Sequence, residues 1–383
     1  MHAAKNSPSL IDNLVVGDLH AHPELMIYLL KSSFRKKYRS LEIRFSDVDI
    51  SMCPLRTSYP RLKEGKVNFL VSAIHVPERK LAESPILKAI SSGISPQILK
   101  EDPYILTLEM MDEFESIIED VAGKKHSPRI TLARSPSELE IALNSGYLVI
   151  LHSIEGAHSL SGNVDNLNHL YDRGVCMITL AHFFPNEAVS PTDGIPPTNL
   201  FSKIGCFDEI YDENASLTPF GRTVVERMAQ LGILIDMAHC TVTGRKDIMD
   251  MVGSRVPLVM SHVGFRGMKD IPYNVDAGEI RRIADTGGVL GIIFMNYYLS
   301  EKETEKGLDL IVETAEQFKN YGGIDCVALG SDFDGFTDPP LDLKTHSSLP
   351  CLIKRLEKRF TRSEIEKIAG GNILRVLRQG WNK

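Results

Sequence analysis

Histidine and acidic residues recur directly after short apolar segments of the chain. The segment ends carry six candidate metal ligands: His20, His22, Glu155, His239, His262 and Asp332. Imidazole and carboxylate ligands without cysteine are typical of zinc, and they also suit manganese, iron or cobalt. A single histidine at such a position is more often a hydrogen-bonded structural residue. Because five segments end in this way, the pattern favours a metal site.

The number of candidate ligands predicts two metal ions. Six ligands are too many for one catalytic ion that keeps an open coordination position, but they divide over two ions if one carboxylate bridges them. Glu155 is the candidate bridge because it lies between the two groups of ligands in chain order. Two metal ions about 3.5 to 4 Å apart can share a hydroxide, lower its pKa and polarise a scissile carbonyl. The sequence therefore predicts a binuclear hydrolase.

Eight short apolar segments, rich in β-branched residues, would position these ligands. They cover residues 14–17, 67–74, 147–154, 175–180, 232–237, 257–260, 288–295 and 326–330. Amphipathic stretches between several of them indicate helices, for example at residues 106–121 and 304–321. Another helix is predicted to end at residue 231, with Thr218 as its N-cap and Pro219 in its first position. Apolar strands alternating with helices predict a parallel sheet covered on both faces. Eight such units predict an α/β fold, a single (β/α)8 TIM barrel with its site at the C-terminal ends of the strands.

Three long connections interrupt this alternation. Residues 30–65 follow the first predicted strand, residues 183–216 follow the fourth, and residues 77–145 carry extra helices before the third. We found no internal repeat and no interdomain linker. The sequence therefore predicts one domain over residues 1–383, with extra helices and with long loops at the C-terminal face of the strands.

Composition limits the partners. The net charge is -7 and the pI about 6.0, so the chain lacks the global basic field that attracts nucleic acid or anionic lipid. The basic run at residues 35–39 fits a solvated surface better than a phosphate patch. The polar N-terminus and the absence of an apolar run of about 18 residues predict a soluble, cytoplasmic protein without a membrane partner. Six cysteines without a C-x-x-C pair predict reduced thiols.

At these residues the chain resembles the membrane (renal) dipeptidase family, zinc peptidases of the amidohydrolase superfamily, from about residue 15 to residue 377. The most specific motifs are Ile154-Glu155-Gly156-Ala157-His158, Thr179-Leu180-Ala181-His182 with Asn186, Leu217-Thr218-Pro219-Phe220-Gly221, Leu234-Ile235-Asp236-Met237-Ala238-His239, Ser261-His262, Gly330-Ser331-Asp332-Phe333-Asp334-Gly335 and Gly371-Asn372-Ile373-Leu374-Arg375-Val376.

The resemblance implies a role for each of these positions. It implies that His20, residue 22 and Glu155 hold one zinc ion with Asp332 nearby, and that Glu155, His239 and His262 hold the other. It further implies that Asp332 is the proton shuttle and that His182 stabilises the tetrahedral intermediate. A homodimer is also implied by the resemblance.

Two residues depart from the family pattern. The family has aspartate at the position of His22, so this site loses one negative charge, which would affect metal preference and Lewis acidity. The family also holds the substrate carboxylate with an arginine followed by an asparagine, where this chain has Tyr273 and Asn274. Tyr273 and Asn274 are candidate substrate contacts, although the side chain of tyrosine cannot supply the two parallel N–H donors of an arginine. Arg266 and Lys269 either replace that fork or are solvated loop charges.

Five further polar residues are predicted to lie outside the first ring of ligands. By strand alternation, His152 faces the helices and Asp236 faces away from the site, where it could orient a ligand. His158 is a structural hydrogen bonder, and the turn at Gly335 diverts Asp334 from the metal. For His75 a structural role is favoured over a place in the pocket.

The leading hypothesis is a binuclear zinc hydrolase that cleaves the amide bond of dipeptides or similar small amino-acid derivatives. The nearest alternative keeps the same site but acts on N-acyl amino acids, lactones or cyclic amides, because Tyr273 replaces the expected arginine. A barrel that has lost catalysis and serves as a binding protein is the third alternative. It is disfavoured because all six ligand positions carry competent side chains.

Overall fold

The computed structural model describes residues 9–39, 41–45, 48–84, 88, 93–123, 129–192, 212–300, 307–335 and 339–382, with backbone alone for the strands between 41 and 52. The strands are β1 (Val16–Ala21), β2 (Leu41–Phe45), β3 (Val48–Met52), β4 (Val67–Ile74), β5 (Ile130–Leu132), β6 (Leu148–Glu155), β7 (Met177–Thr179), β8 (Leu234–Asp236), β9 (Leu258–Val263), β10 (Val289–Ile292) and β11 (Val327–Leu329). Each of the eight predicted strands is present.

The helices surround this sheet. They are α1 (Pro23–Leu30), α2 (Tyr59–Glu64), α3 (Arg79–Glu83), α4 (Ser95–Lys100), α5 (Pro103–Ala122), α6 (Pro136–Asn144), α7 (Asn166–Asp172), α8 (Pro219–Leu231), α9 (Val242–Val252), α10 (Ala277–Asp285), α11 (Asn296–Leu299), α12 (Leu308–Gly322), α13 (Leu349–Leu356), α14 (Arg362–Glu366) and α15 (Asn372–Gly380). As predicted, Thr218 caps α8, since its side chain accepts the N–H of Gly221, and Pro219 occupies the first helical position.

Eight strands form a nearly closed parallel barrel in the order β1-β4-β6-β7-β8-β9-β10-β11. The last gap is bridged just beyond β11. There the N–H of Asp332 donates to the carbonyl of His20 at 2.8 Å, and the N–H of His22 donates to the carbonyl of Phe333 at 2.8 Å. The predicted (β/α)8 barrel is confirmed, and its two ends meet at residues that were predicted to bind metal.

Two β-bulges lie in the strands that carry ligands. Residues 18 and 21 of β1 are three positions apart, but the residues of β4 that pair with them are only two positions apart. The same mismatch occurs between residues 260 and 263 of β9 and their partners in β10. Each extra residue interrupts the alternation of side chains and re-aims those that follow. His20 and His262 lie within these bulges, so strict alternation does not decide which way they point.

The strands are buried along almost their whole length. All eight residues of β6 are buried, as expected for a parallel strand covered on both faces. Val149 and Leu151 of β6 belong to an apolar cluster that also contains Leu377 of α15 and Trp381. The last helix therefore packs against the barrel strands and leaves the opposite, C-terminal ends for polar residues.

The long connections hold structure that the sequence pattern did not reveal. Residues 30–65 contain the antiparallel pair β2–β3 as well as α2. Residues 77–145 contain the predicted extra helices and also β5, which pairs with β6. Most of the connection at 183–216, the N-terminal residues 1–8 and the start of the predicted helix at 304 lie outside the described residues.

The basic run, the cysteines and the helix lengths can each be compared with the sequence predictions. In the basic run, Arg35 and Lys37 form ion pairs with Asp120 and Glu64. Five cysteines are free thiols, and Cys206 lies outside the described residues. Within the described part of the chain, no helix has the length and apolar character that a bilayer crossing requires.

Candidate metal centre and active site

The six predicted ligands converge at the C-terminal ends of the barrel strands. His20 and His262 lie in β1 and β9, and Glu155 is the last residue of β6. His22 and Asp332 lie just beyond β1 and β11. His239 follows β8 and completes the set.

The first group is formed by residues around the end of β1. The Nε2 atoms of His20 and His22 lie 2.9 Å apart. Each of them lies 3.3 Å from an oxygen of Glu155, Oε1 for His20 and Oε2 for His22. Oδ1 of Asp332 lies 3.3 Å from Nε2 of His22 and 3.9 Å from Nε2 of His20.

The second group is formed across β6, β8 and β9. Nε2 of His239 and Nε2 of His262 are also 2.9 Å apart. They lie 3.5 Å and 3.7 Å from Oε1 of Glu155. Glu155 therefore contacts both pairs of imidazoles.

These distances fit metal ligands better than ordinary hydrogen-bonded groups. Ligand atoms around a tetrahedral zinc ion, each about 2.0 to 2.1 Å from the metal, lie about 3.3 Å from one another. Oε1 of Glu155 is buried yet has no hydrogen-bond partner, and Nε2 of His20, His22, His239 and His262 meet in pairs. Two such groups, one with His20, His22 and Asp332 and one with Glu155, His239 and His262, are each compact enough to hold an ion.

The electrostatics of the site also favour cations. Burial would raise the pKa of Glu155, but the imidazoles of His182, His22 and His20 outweigh it and hold the pKa well below its usual range. Burial would lower the pKa of His22, but Glu155 and Asp332 raise that pKa to about 9. The same negative field that attracts a proton to His22 attracts a metal ion, which would displace the proton.

Two candidate ligands and one neighbouring residue adopt left-handed backbone conformations. φ is 64° at His239, 55° at Asp332 and 71° at Asp334. Such conformations cost roughly 1 to 3 kcal/mol for side chains other than glycine, and they cluster at functional sites. At Gly335 a Cβ atom would come within 2.3 Å of Oδ1 of Asp332, so the absence of a side chain there lets the loop close on the ligands.

A serine and an aspartate contact the candidate ligand His262 on the Nδ1 side of its ring. Oγ of Ser261 lies 2.7 Å from Nδ1 of His262 and donates to Oδ2 of Asp236 at 2.5 Å. Asp236 also has an oxygen within 4.8 Å of the ligand atoms of His20 and His262. Its predicted place facing away from the site was wrong, because the left-handed turn at His239 ends the alternation beyond β8. Its predicted part in orienting a ligand agrees with the Ser261 contact.

A similar contact supports the other side. Oγ of Ser331 donates to Oδ2 of Asp18 at 2.5 Å, and the N–H of Ser331 donates to Oδ1 at 2.9 Å. Nε2 of His346 lies 2.7 Å from the same carboxylate. Asp18 thus ties the end of β11 to β1 next to His20.

A second cluster of titratable side chains borders the ligands. Nδ1 of His182 lies 2.8 Å from Oε1 of Glu78, and Nε2 of His182 lies 3.5 Å from Oε2 of Glu155. Nε2 of His75 lies 3.4 Å from Oε2 of Glu78, and the two imidazole centroids are 4.0 Å apart. Burial and the neighbouring imidazole of His75 lower the pKa of His182 to about 3. His75 thus lies beside the candidate ligands, and the structural role that the sequence favoured stays a prediction.

The loop after β9 places Tyr273 beside the second pair of ligands. Its ring centroid is 5.1 Å from that of His239, and its hydroxyl donates to the carbonyl of His262 at 2.9 Å. The side chain is 1% exposed, and burial raises its pKa well above the usual range. Tyr273 is therefore a neutral, buried neighbour of the second pair of candidate ligands.

Asn274 and Arg266 of the same loop are held by other contacts. The amide of Asn274 accepts the N–H of Gly264 and donates to the carbonyls of Lys269 and Tyr298. It is fully buried, so we place it in the support of the loop. Arg266 is paired with Asp270 at 2.8 Å.

The remaining predicted assignments agree with the geometry. Asp334 accepts the backbone N–H groups of Arg56 and Thr57 at 2.6 and 2.9 Å, so its carboxylate is turned away from the metal ligands. Nε2 of His158 lies 2.8 Å from the carbonyl of Val76, which is a structural contact. His152 faces the helices.

Glu78 was missed by the sequence analysis. It lies in the segment Val76-Pro77-Glu78-Arg79-Lys80, whose charges are typical of an exposed loop. Its burial at 8% exposure depends on contacts with residues distant in sequence. A signal that could have found it is its position four residues beyond β4, at the same end of the barrel as the ligands.

Known proteins with similar sequences are dipeptidases. A model described as membrane dipeptidase (peptidase family M19) matches residues 9–382. An uncharacterized dipeptidase of Schizosaccharomyces pombe is 27% identical over 361 residues, which cover 94% of this chain and 79% of that protein. Dipeptidase verJ of Clonostachys rogersoniana is 25% identical over 356 residues, which cover 91% of this chain and 81% of that protein.

Solved structures share the fold. A metallo peptidase of Rhodobacter sphaeroides, liganded with a phosphinate mimic of the dipeptide L-Ala-D-Ala, has a TM-score of 0.74 at 19% identity and covers 96% of this chain and 99% of that chain. The probable dipeptidase PvdM of Pseudomonas aeruginosa has a TM-score of 0.74 at 17% identity, covering 97% and 96%.

Proposed function

Since the chain belongs to the membrane dipeptidase family and is a metal-dependent, dipeptidase-like hydrolase, we propose that it cleaves the amide bond of dipeptides or similar small amino-acid derivatives with two zinc ions. One observation carries this proposal: both oxygens of Glu155 face imidazole nitrogens, and those nitrogens meet in pairs 2.9 Å apart. His20, His22, Glu155 and Asp332 would hold one ion. Glu155, His239 and His262 would hold the other.

Asp332 is suited to move the proton of the reaction. When bound, the two ions would acidify a shared water to hydroxide and polarise the scissile carbonyl. Hydrolysis adds the water oxygen to the carbonyl carbon, and its proton must reach the amide nitrogen as the C–N bond breaks. The side chain of Asp332 is 14% exposed, against 6% or less for the other five ligands, so it borders the space that substrate would enter. Its carboxylate would accept the proton and deliver it to the leaving nitrogen.

His182 would act on the other side of the tetrahedral intermediate. Its Nε2 lies 3.5 Å from Oε2 of Glu155 without belonging to either pair of imidazoles. The ring is 8% exposed and lies against Phe183, with centroids 3.8 Å apart. Once Nε2 is protonated, a hydrogen bond from it would stabilise negative charge that develops on the intermediate.

The second candidate is the same site acting on N-acyl amino acids, lactones or cyclic amides, and Tyr273 favours the lactones and cyclic amides, which need carry no free carboxylate. A dipeptidase needs a partner for the C-terminal carboxylate of its substrate, and the neutral hydroxyl of Tyr273 already donates to the carbonyl of His262. Of the two cations in this loop, Arg266 is paired with Asp270 and Lys269 lies over the ring of Tyr297. Dipeptides remain the first candidate because the curated relatives are named dipeptidases.

Metal analysis combined with a substrate panel tests the proposal. Purified protein should contain two equivalents of zinc, lose activity with a chelator and regain it with added metal. We expect turnover of dipeptides; turnover restricted to N-acyl amino acids or lactones would favour the second candidate. Protein without stoichiometric metal, or with activity insensitive to chelation, would contradict the proposal.

Two histidine variants provide the matched control. His239→Gln should lose metal and activity because it removes a ligand atom beside Glu155. His152→Gln also replaces a buried histidine, but that ring lies 3.3 Å from Glu115 toward the helices. It should retain both metals. The homodimer and the cytoplasmic location stay predictions from the sequence.

A further inference from the structure

Glu78 is a buried carboxylate directed at the ring of His182. Its Oε1 accepts a hydrogen bond from Nδ1 of His182 at 2.8 Å and another from the backbone N–H of Phe183 at 3.2 Å. Its Oε2 lies 3.4 Å from Nε2 of His75. Two N–H groups thus donate to one carboxylate that is 8% exposed, and a third nitrogen lies close to its other oxygen.

This arrangement decides which nitrogen of His182 faces the reaction. A carboxylate that accepts from Nδ1 keeps a proton on that nitrogen and fixes the plane of the ring. Nε2, at 3.5 Å from Oε2 of Glu155, is then the nitrogen presented to the site. A neutral ring accepts a hydrogen bond at Nε2 and donates one only when it is protonated, in which case Glu78 balances its charge.

The charge of Glu78 is supported by its neighbours. Burial would raise the pKa of Glu78, but the imidazoles of His182 and His75 outweigh it and hold the pKa well below its usual range. His75 also approaches the backbone of Glu155, with Nδ1 3.2 Å from its carbonyl oxygen. The cluster is therefore joined to the bridging ligand through both histidines.

We propose that Glu78 is a positioning residue that holds Nδ1 of His182 and thereby aims Nε2 at the reacting groups. The proposal rests on the proposed hydrolase function. It assigns Glu78 no contact with substrate and no place among the metal ligands.

A third metal ion is the competing use of the same side chains. His75, Glu78 and His182 offer atoms within 4.8 Å of one another. The contacts differ, however, from those of the two proposed metal groups, where imidazole nitrogens face each other at 2.9 Å. Here each imidazole faces a carboxylate oxygen, which is an ordinary hydrogen-bond pairing. The two interpretations predict different metal contents.

The test replaces Glu78 with glutamine in the metal-loaded enzyme. Glutamine keeps the shape but removes the charge, and its amide no longer enforces a proton on Nδ1. We expect kcat to fall about 100-fold, the order contributed by a positioned acid or base. KM should stay within about threefold because Glu78 touches no substrate, and metal content should equal that of wild type. Glu78→Asp, which retains the charge, should recover part of kcat.

A double-variant cycle and a matched control sharpen the test. If Glu78 acts through His182, then Glu78→Gln/His182→Asn should be no slower than His182→Asn alone. Glu115→Gln is the control, because it makes the same substitution at another carboxylate–histidine contact, 3.3 Å from His152. Its kcat should match wild type.

Three outcomes would overturn the proposal: an unchanged kcat in Glu78→Gln, losses that multiply fully in the double variant, or the loss of one metal equivalent. If wild type proves to hold no metal or to hydrolyse nothing, the proposed function fails separately. The orientation of His182 is then judged from spectra of [15N]histidine-labelled protein, with the signal assigned by His182→Asn. A proton on Nδ1 supports the proposal, and a proton on Nε2 with a bare Nδ1 refutes it.

Discussion

Replacing Asp332 with asparagine should separate proton transfer from metal binding. Oδ1 of Asp332 is 3.9 Å from Nε2 of His20 and 3.3 Å from that of His22, whereas Glu155 is 3.3 Å from both. His20, His22 and Glu155 would therefore remain as candidate ligands of the proposed first ion without the carboxylate of Asp332. We expect Asp332→Asn to retain both metal ions and lose the group that carries the proton.

The backbone makes asparagine the informative substitution. φ is 55° at Asp332, a left-handed conformation that asparagine adopts readily. Alanine there would add a backbone cost of roughly 1 to 2 kcal/mol, so a loss of activity could then reflect a displaced loop. With asparagine, the N–H of residue 332 can still donate to the carbonyl of His20 and keep the barrel closed.

The expected loss comes from the missing acid–base group alone. A positioned group of this kind contributes about 10²- to 10⁴-fold, so kcat should fall by that factor. This corresponds to about 3 to 5 kcal/mol of transition-state stabilisation. Steady-state kinetics on the preferred substrate, with metal content measured on the same samples, provide the assay.

Asp334→Asn is the matched control in the same loop. Asp334 also has a left-handed φ of 71°, but its carboxylate accepts the N–H groups of Arg56 and Thr57. Its amide variant should lose stability, by about 1 to 3 kcal/mol for an impaired buried acceptor, while kcat changes little. If Asp332→Asn kept both metals and at least half of the wild-type kcat, Asp332 could not be the proton shuttle.

Four further predictions concern the ligands and their surroundings. Glu155→Gln removes the negative charge between both pairs of imidazoles, so metal analysis should find less than one ion per chain. Removing the metals with a chelator should lower the melting temperature, since a ligand at 100 times its dissociation constant stabilises by about 2.7 kcal/mol; an unchanged melting curve would contradict metal binding in the fold. Tyr273→Phe should keep kcat and lower the free energy of unfolding by about 1 kcal/mol, because it loses the hydrogen bond to the carbonyl of His262. For Glu115, burial would raise the pKa, but hydrogen bonds from His152 and Arg173 lower it to about 2. Its charge therefore stabilises the fold above pH 4.5 and less as the pH falls toward 2, so the stability difference between wild type and Glu115→Gln should shrink over that range.

The barrel and the convergence of the candidate ligands could be predicted because both depend on local patterns. Short apolar segments rich in β-branched residues indicate buried strands, and parallel strands bring their C-terminal ends together. The direction of individual side chains was less predictable. His20 and His262 lie in bulges, and Asp236 precedes a left-handed turn. The regular alternation of side chains along a strand therefore does not predict their directions.

Supporting residues were harder to predict, because their roles arise from contacts across the barrel. Glu78 is 104 positions from its partner His182, and Ser331 is 313 positions from Asp18. No local periodicity relates such residues, and a glutamate beside arginine and lysine has the pattern of an exposed loop. The antiparallel pair β2–β3 was missed for a related reason: its residues are too polar for the buried-strand pattern that revealed the barrel.

The two departures from the family pattern change the charge of the site in opposite directions. His22 removes a negative charge next to the proposed first ion, and Tyr273 removes a positive charge where the substrate carboxylate is expected. An arginine in place of Tyr273 would lie beside the ring of His239, 5.1 Å away, in a site that already lacks one carboxylate. The neutral ring would avoid that added repulsion of bound metal ions. The charge of a substrate carboxylate would then have to be balanced by the bound ions or by a cation elsewhere in the site. The ratio of kcat/KM for free dipeptides to kcat/KM for their C-terminal amides measures how strongly the site favours that carboxylate.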